Sequence, residues 1–304
     1  MRTCGQADRR TGGRKDDGPH KVNGVFLGPA AVMTQVPTAL PFTPEWSFHP
    51  SVVIGAGLLG ALYFYCIGPL RRRKALGPPA EPWRPACFVM GLGVILVSLN
   101  GPIHDLSDSY LFSVHMAQHL LLTMVLPPLL IAGTPGWLID AAARPAPVRG
   151  AARFLTHPVV AGVLFSAVLL VWHTVDAYDF MMRNHDVHVV THLMFMVTAV
   201  LLWWPVTSAS AVLPRLGPGI GMLYLFLVQI PMQILGAIIT FADAPLYPWY
   251  AAAARTWGLS PLDDQKLGGL LMWIPGNLWI WGAMSVLFFQ WARRERAEDG
   301  QRGQ

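Results

Sequence analysis

Two pairs of histidines have residue types and spacing that could bind a metal ion. His115 and His119 are four residues apart, and so are His188 and His192. Residues at positions i and i+4 lie on one face of an α-helix, so each pair presents two imidazoles to the same side. Neutral imidazole is a common ligand of copper, zinc and haem iron. The two pairs therefore indicate a metal site or a proton-transfer site, provided that their helices pack near one another.

His173 adds a fifth imidazole at the end of a further apolar stretch. Any one of these histidines, taken alone, is more often a hydrogen-bonded structural residue. All five lie at a similar depth in segments of membrane-spanning length, where ionisable side chains usually face the protein interior or a pathway. Five such groups at one depth favour a metal or proton site. Leu122, three residues beyond His119, is expected to face lipid.

The segment LDDQKLGGLLMWIPG, from Leu262 to Gly276, adds other candidates. Asp264 could orient a ligating histidine from outside the first coordination sphere, although an exposed acid in the first turn of a helix explains it equally well. Met272 lies seven residues after Gln265, on nearly the same helical face. Its thioether suits Cu(I), and plain packing is the alternative. Gly268 and Gly269 predict close approach of a neighbouring helix.

The composition places these residues in a membrane protein. The chain of 304 residues is 53% hydrophobic and 13% charged, with a mean hydropathy of +0.43. A soluble domain carries roughly 25% charged residues. The net charge of +5 does not indicate a nucleic-acid partner, because the basic residues form short clusters between apolar spans. Three scattered cysteines form no CxxC pair, so a metal site must use other ligands.

Seven apolar segments are long enough to cross the hydrocarbon core, which takes about 20 residues each. The sequence therefore predicts an all-α polytopic bundle of seven transmembrane helices. The predicted spans are 51–70, 86–103, 111–133, 158–176, 188–206, 218–241 and 267–290.

The distribution of basic residues predicts an N-out, C-in orientation, because basic loops remain on the cytoplasmic side. With that orientation, the histidine pairs lie in the outer half of the membrane. The outer loops hold only Arg183, Arg255 and Lys266. The inner loops and tail hold Arg71, Arg72, Arg73, Lys74, Arg84, Arg144, Arg149, Arg153, Arg215, Arg293, Arg294, Arg296 and Arg302.

The predicted membrane domain covers residues 46–295, followed by a cytoplasmic tail at 296–304. Residues 1–45 are rich in Gly, Pro and Arg, lack apolar periodicity, and predict a disordered leader. A start at Met33 would remove the basic residues of this leader. Residues before Met33 are therefore interpreted as untranslated, which mass spectrometry of the native protein can test.

Three sequence blocks resemble the signature of a known family. HMAQHLLLTMVLPPLLIAGTP, WHTVDAYDFMMRNHDVHVVTHLMFMVTAVLLWWPV and DDQKLGGLLMWIPG look like the blocks of the seven-span CtaG family, the cytochrome c oxidase assembly factor. The unrelated single-span copper protein of the same name is not meant. The resemblance covers about residues 45 to 295. It implies that the family's polar positions fall on His115, His119, His173, His188, His192, Asp264, Gln265 and Met272.

The resemblance implies a non-enzymatic role in maturation of haem-copper oxidase in the bacterial inner membrane. The implied partners are cytochrome c oxidase subunits and the lipid bilayer, and the implied cofactor is copper, as Cu(I), at the outer face. Two alternatives remain open from the residues. One is an intramembrane zinc hydrolase, although no acid lies inside the histidine-bearing helices to serve as its base. The other is a haem protein with His119 and His192 as axial ligands.

Overall fold

A computed structural model describes residues 48–255 and 258–302, and in this part of the chain the regular structure is helical. The predicted leader at 1–45, including Met33, lies outside the described residues, which begin at Phe48. The helices are α1 (Pro50–Lys74), α2 (Trp83–Ser98), α3 (Gly101–Ser109), α4 (Phe112–Gly133), α5 (Gly136–Ala142), α6 (Ala146–Leu155), α7 (Pro158–Trp172), α8 (Val175–Arg183), α9 (His185–Thr207), α10 (Pro218–Thr240), α11 (Pro248–Ala251) and α12 (Pro261–Arg302).

The all-α polytopic architecture predicted from the sequence is confirmed. Helices α1, α4, α9, α10 and α12 are each long and apolar enough to cross a membrane. Two further pairs meet the same criteria together but bend between their members, α2 with α3 by 47° and α6 with α7 by 64°. The described chain therefore has five spanning helices, or seven if each bent pair counts as one span. Gly101, with φ +66°, turns the chain between α2 and α3.

Helix α4 carries the first histidine pair, and its middle departs from regular α-helix. A π-helical turn covers Leu121–Val125, directly after His119. Pro127 has no N–H to donate to the carbonyl oxygen of Thr123, and the indole Nε1 of Trp203 on α9 donates to that oxygen instead, at 2.9 Å. This hydrogen bond ties α4 to α9, the helix that carries the second histidine pair.

The π turn also explains why the expectation for Leu122 is wrong. Its side chain is fully buried, and it packs with Leu99 and Leu126 rather than facing lipid. A π turn adds a residue to the helical turn and so rotates the following side chains relative to a regular helix. Exposed apolar side chains near the site are instead on α9, at Val190 and Met194.

Small residues bring α12 against two neighbours, as the sequence predicted. A Cβ at Gly269 would lie 2.4 Å from the Thr240 hydroxyl of α10, and one at Gly268 would lie 2.4 Å from the ring of Phe112 at the start of α4. Both distances are far below van der Waals contact. The glycines therefore permit α12 to pack closely on α10 and α4.

Candidate metal centre

All five predicted histidines lie in the interior of the bundle. His115 is fully buried, and His119, His173, His188 and His192 each expose 5–8% of their surface. Helix α4 supplies the first pair, α9 supplies the second, and His173 follows the last residue of α7. The spacing of each pair places both rings on the inward face of its helix, and the packing of α4 against α9 brings the pairs together.

Three of the five form a compact nitrogen-donor group, here called the triad: His115, His188 and His192. One ring nitrogen from each lies within 4.8 Å of the others. The Nε2 atoms of His188 and His192 face each other at 2.8 Å. The ring of His115 lies with its centroid 5.4 Å from that of His188 and 5.8 Å from that of His192. Buried imidazoles this close are positioned to bind one ion with little movement.

The far nitrogen of His115 is already used. The Tyr250 hydroxyl donates to the Ser107 carbonyl oxygen at 2.5 Å, which leaves its own oxygen free to accept from His115 Nδ1–H at 3.1 Å. Burial raises the pKa of Tyr250 well above its ordinary value, so the phenol stays protonated and acts as the donor to Ser107. The Nε2 atom of His115 is then a lone-pair nitrogen, and it is buried without a hydrogen-bond partner among the described residues.

The far nitrogen of His188 faces a carboxylate. Asp108 Oδ2 lies 3.5 Å from His188 Nδ1. A carboxylate beside the non-ligating nitrogen of a histidine fixes its tautomer and leaves Nε2 for a metal. The sequence pointed to Asp264 for this kind of role, and neither Asp108 nor Tyr250 was predicted. The spacing of His104 and Asp108, four residues apart on α3, was the signal that could have pointed to Asp108.

The remaining two histidines line a different space, here called the methionine pocket: His119, His173, Met116 and Met272 around a cavity of about 20 Å³. The rings of His119 and His173 are 6.1 Å apart, and His173 Nδ1 donates to the Leu169 carbonyl oxygen at 2.8 Å. The Nε2 atoms of both histidines are buried without a hydrogen-bond partner within the described chain. The pocket adjoins the triad, since the rings of His119 and His192 are 5.1 Å apart.

Asp264 and Gln265 lie beside the site rather than at its imidazoles. Asp264 is fully buried and accepts hydrogen bonds from the backbone N–H groups of Phe112 and Ser113, at 2.9 and 3.1 Å, and from the Ser113 hydroxyl at 2.7 Å. It therefore caps the N-terminus of α4 from another helix. Gln265 accepts from the N–H of Leu246 and so fixes the loop after α10. Asp264 therefore acts on a histidine-bearing helix, whereas Gln265 acts on a loop beside the site.

Comparison with known proteins places these residues in a family. The family model for the cytochrome c oxidase caa3 assembly factor matches residues 61–294. The chain belongs to this assembly factor family. The matched range contains the triad, the methionine pocket, Asp108, Tyr250 and Asp264. The assembly-factor resemblance predicted from the three sequence blocks is therefore confirmed.

Relatives of the chain include mycobacterial proteins. The chain is 29% identical over 295 residues to an uncharacterized protein of Mycobacterium bovis, which it matches over 90% of its own length and 43% of the relative's. An uncharacterized protein of Mycobacterium leprae is 26% identical over 288 residues, with 89% and 43% covered. The chain thus spans less than half the length of these relatives. No solved structure matches the chain.

The donor set of this chain fits a metal ion that prefers nitrogen and sulfur. Buried nitrogens without partners are costly unless something satisfies them, and here the Nε2 atoms of His115, His119 and His173 and the Nδ1 atom of His192 are in that condition within the described residues. Their neutral imidazoles suit copper and zinc, and the neighbouring thioethers favour Cu(I).

Proposed function

We propose that this assembly factor binds copper, as Cu(I), at the triad and supplies it for metallation of a cytochrome c oxidase subunit. The observation that carries the proposal is the triad itself, three buried imidazoles whose nitrogens lie within 4.8 Å of one another. Tyr250 and Asp108 occupy the far side of two of these rings, which leaves Nε2 as the ligand atom. Copper is the cargo here, and the protein's task is to hold it and release it.

The methionine pocket gives this cargo a second set of donors. Met272 and Met116 line the same pocket as His119 and His173, and soft sulfur ligands select Cu(I) over harder ions. We propose His115, His188 and His192 as ligands, with His119, His173 and Met272 as additional ones. Asp264 and Gln265 support the site by fixing the start of α4 and the loop beside it.

The role proposed is non-enzymatic. A zinc hydrolase requires a base directed at the metal-bound water. The nearest acid, Asp108, faces the Nδ1 side of His188, which is the position of an orienting group. The haem alternative has less support, because the rings of His119 and His192 are only 5.1 Å apart and the cavity beside His119 measures about 20 Å³. A porphyrin requires a far larger space.

The location proposed is the bacterial inner membrane, with the histidine end of the bundle outside and the C-terminus inside. Reporter fusions test this orientation. A periplasmically active reporter inserted near Ala251 should be active, and one fused after Arg296 should be inactive. The reverse pattern would place the triad on the cytoplasmic side.

Metal analysis of purified protein tests the site directly. Copper and zinc per folded molecule are measured in wild type, His115→Ala and the control His157→Ala, an exposed histidine at the start of α7 that makes no side-chain capping bond. We expect His115→Ala to lose copper while the control keeps it. Equal copper in all three proteins would contradict the proposal, and a selective loss of zinc would favour the hydrolase.

Acid should release the metal, because protons compete with it for the imidazole nitrogens. Neutral histidines bind, and protonated ones do not, so occupancy is complete above the ordinary imidazole range of about 6.5 and falls as the pH drops below that range. Copper retained after dialysis at a series of pH values measures this. Copper occupancy that did not depend on pH at all would argue against imidazole ligands.

In cells, loss of the protein should leave oxidase polypeptides present but poorly metallated. Oxidase activity should then be low, and added copper should restore part of it. Oxidase activity is compared in deletion and wild-type cells under limiting copper. Normal activity in the deletion would contradict the assembly role for this chain.

A further inference from the structure

A cavity of about 620 Å³ reaches the triad from the side of α1, α2 and α9. Along most of its length the lining is aliphatic, with side chains such as Leu59, Leu130 and Val197. At one end it is lined by His49, His104, Asp108, His185 and His188. The same cavity touches His188 and His192, two members of the triad. The cavity therefore connects this polar end to the buried nitrogen donors of the triad.

A chain of hydrogen bonds fixes the groups at this polar end. The amide Nε2 of Gln118 donates to the Ser98 carbonyl oxygen at 2.6 Å and lies 3.3 Å from His104 Nδ1. Because the amide nitrogen can only donate, His104 Nδ1 accepts and the ring proton is on Nε2. That Nε2 lies 3.5 Å from Asp108 Oδ2. His104 is thereby oriented to stabilise the carboxylate of Asp108.

Within the polar end of the cavity, the carboxylate of Asp108 lies next to the triad. Its Oδ2 lies 3.5 Å from His104 Nε2 and 3.5 Å from His188 Nδ1. The Asp108 side chain is 25% exposed, whereas that of His188 is 6% exposed. The indole of Trp249 donates to the Asp108 backbone carbonyl at 2.7 Å and holds this position. Asp108 is thus a partly exposed carboxylate next to the buried donors.

A cation cannot move through the aliphatic part of the cavity without ligands, since transfer of an unpaired charge into an apolar medium is strongly unfavourable. The polar end offers a carboxylate and the imidazoles of His49 and His185. We propose that this end is an entry site, in which Asp108 first binds the arriving cation and passes it to His188 and His192. This inference rests on the proposed metal-binding function and adds a route to it.

The loading rate of Cu(I) tests the entry site. Full-length protein in detergent receives Cu(I) from a chromophoric Cu(I) chelator under reducing, oxygen-free conditions, and absorbance gives both the rate and the final occupancy. Asp108→Asn removes the charge but keeps an oxygen that can accept from His188. We expect the loading rate to fall about tenfold, because a focused charge raises cation on-rates by that order or more. The salt dependence of that rate, and not the final occupancy, separates the entry role from the contact that Asp108 makes with His188.

Salt and a matched control separate an entry role from a structural one. The wild-type rate should fall as ionic strength rises, and the rate of Asp108→Asn should respond much less. The exposed acid Asp243, changed to Asn, should load like wild type. A rate for Asp108→Asn equal to wild type, or a rate and occupancy that fall together without loss of salt dependence, would overturn the entry site.

A second variant keeps the test decisive if Asp108→Asn does not fold. His185 is exposed at the polar end and lines the cavity, so His185→Gln should preserve the fold and slow loading with unchanged final occupancy. Loading of that variant at the wild-type rate would then overturn the proposal. Wild type that takes up no Cu(I) at all is a different outcome, because it contradicts the proposed function itself.

Discussion

The triad and the methionine pocket use the same residue type in two different surroundings. In the triad, nitrogen atoms of His115, His188 and His192 lie within 4.8 Å, and a phenol and a carboxylate contact the far sides of two rings. In the methionine pocket, the rings of His119 and His173 are 6.1 Å apart, and their neighbours are apolar or sulfur-containing. Histidine spacing alone therefore does not distinguish the stronger group of ligands from the weaker one. The groups that contact the far side of each ring, and those that lie between the rings, make this distinction.

The largest difference between the two groups should appear on removal of one histidine from each. We expect His192→Ala to lower Cu(I) affinity more than tenfold, since loss of outer-shell groups alone typically costs 10–100-fold. His119→Ala should lower it less, because the triad remains complete. Competition with a Cu(I) chelator measures both affinities. A greater loss in His119→Ala would invert the comparison and make the methionine pocket the principal site.

Removal of the Asp264 carboxylate should affect both groups through one helix. Asp264→Ala leaves the first backbone donors of α4 without their acceptor, and His115 and His119 are on that helix. We expect a loss of about 2 kcal/mol in the free energy of unfolding, the size expected for a buried cap with charge-assisted hydrogen bonds. Thermal or denaturant unfolding in detergent measures it, with Asp263→Ala at the exposed neighbouring position as control. Unchanged stability would remove Asp264 as a support.

Loss of the Tyr250 hydroxyl should affect the triad alone. Tyr250→Phe removes the acceptor for His115 Nδ1–H and keeps the ring packed on Phe112, whose centroid is 5.6 Å away. We expect Cu(I) affinity to fall about tenfold, the lower end of the range for such outer-shell groups. Tyr247→Phe, which alters a phenol bonded to the His173 backbone, is the matched control. Equal affinity in the two variants would mean that Tyr250 does not orient His115.

The smallest effect is expected at Met272, and it should depend on the metal. Met272→Leu conserves volume and removes the sulfur, so packing should change by less than about 1.5 kcal/mol. Cu(I) affinity should fall by a small factor, whereas zinc affinity should not change, because thioether sulfur is a soft ligand. Parallel titrations with the two metals test this. An equal decrease for both metals would indicate that Met272 only packs.

Much of the scaffold followed from local sequence. A helix repeats every 3.6 residues, so the two four-residue spacings determined that each histidine pair would share a face. Apolar length determined the candidate spans, and Gly268 with Gly269 indicated the close contact of α12 with its neighbours. The signature blocks indicated the family. These inferences succeeded because each depends on residues within one segment.

Tertiary structure decided which groups surround the imidazoles. Tyr250 is 135 residues from His115 in the chain, and nothing in either segment alone predicts their hydrogen bond. The contact of Asp108 on α3 with His188 on α9 joins residues from separate segments. Phe112 and Asp264 are likewise 152 positions apart in the chain, so the cap on α4 could not be read from either segment alone. The π turn after His119 buried Leu122 against expectation. Local periodicity determines the direction of a side chain from its helix, but only the packed bundle determines which partner it meets there.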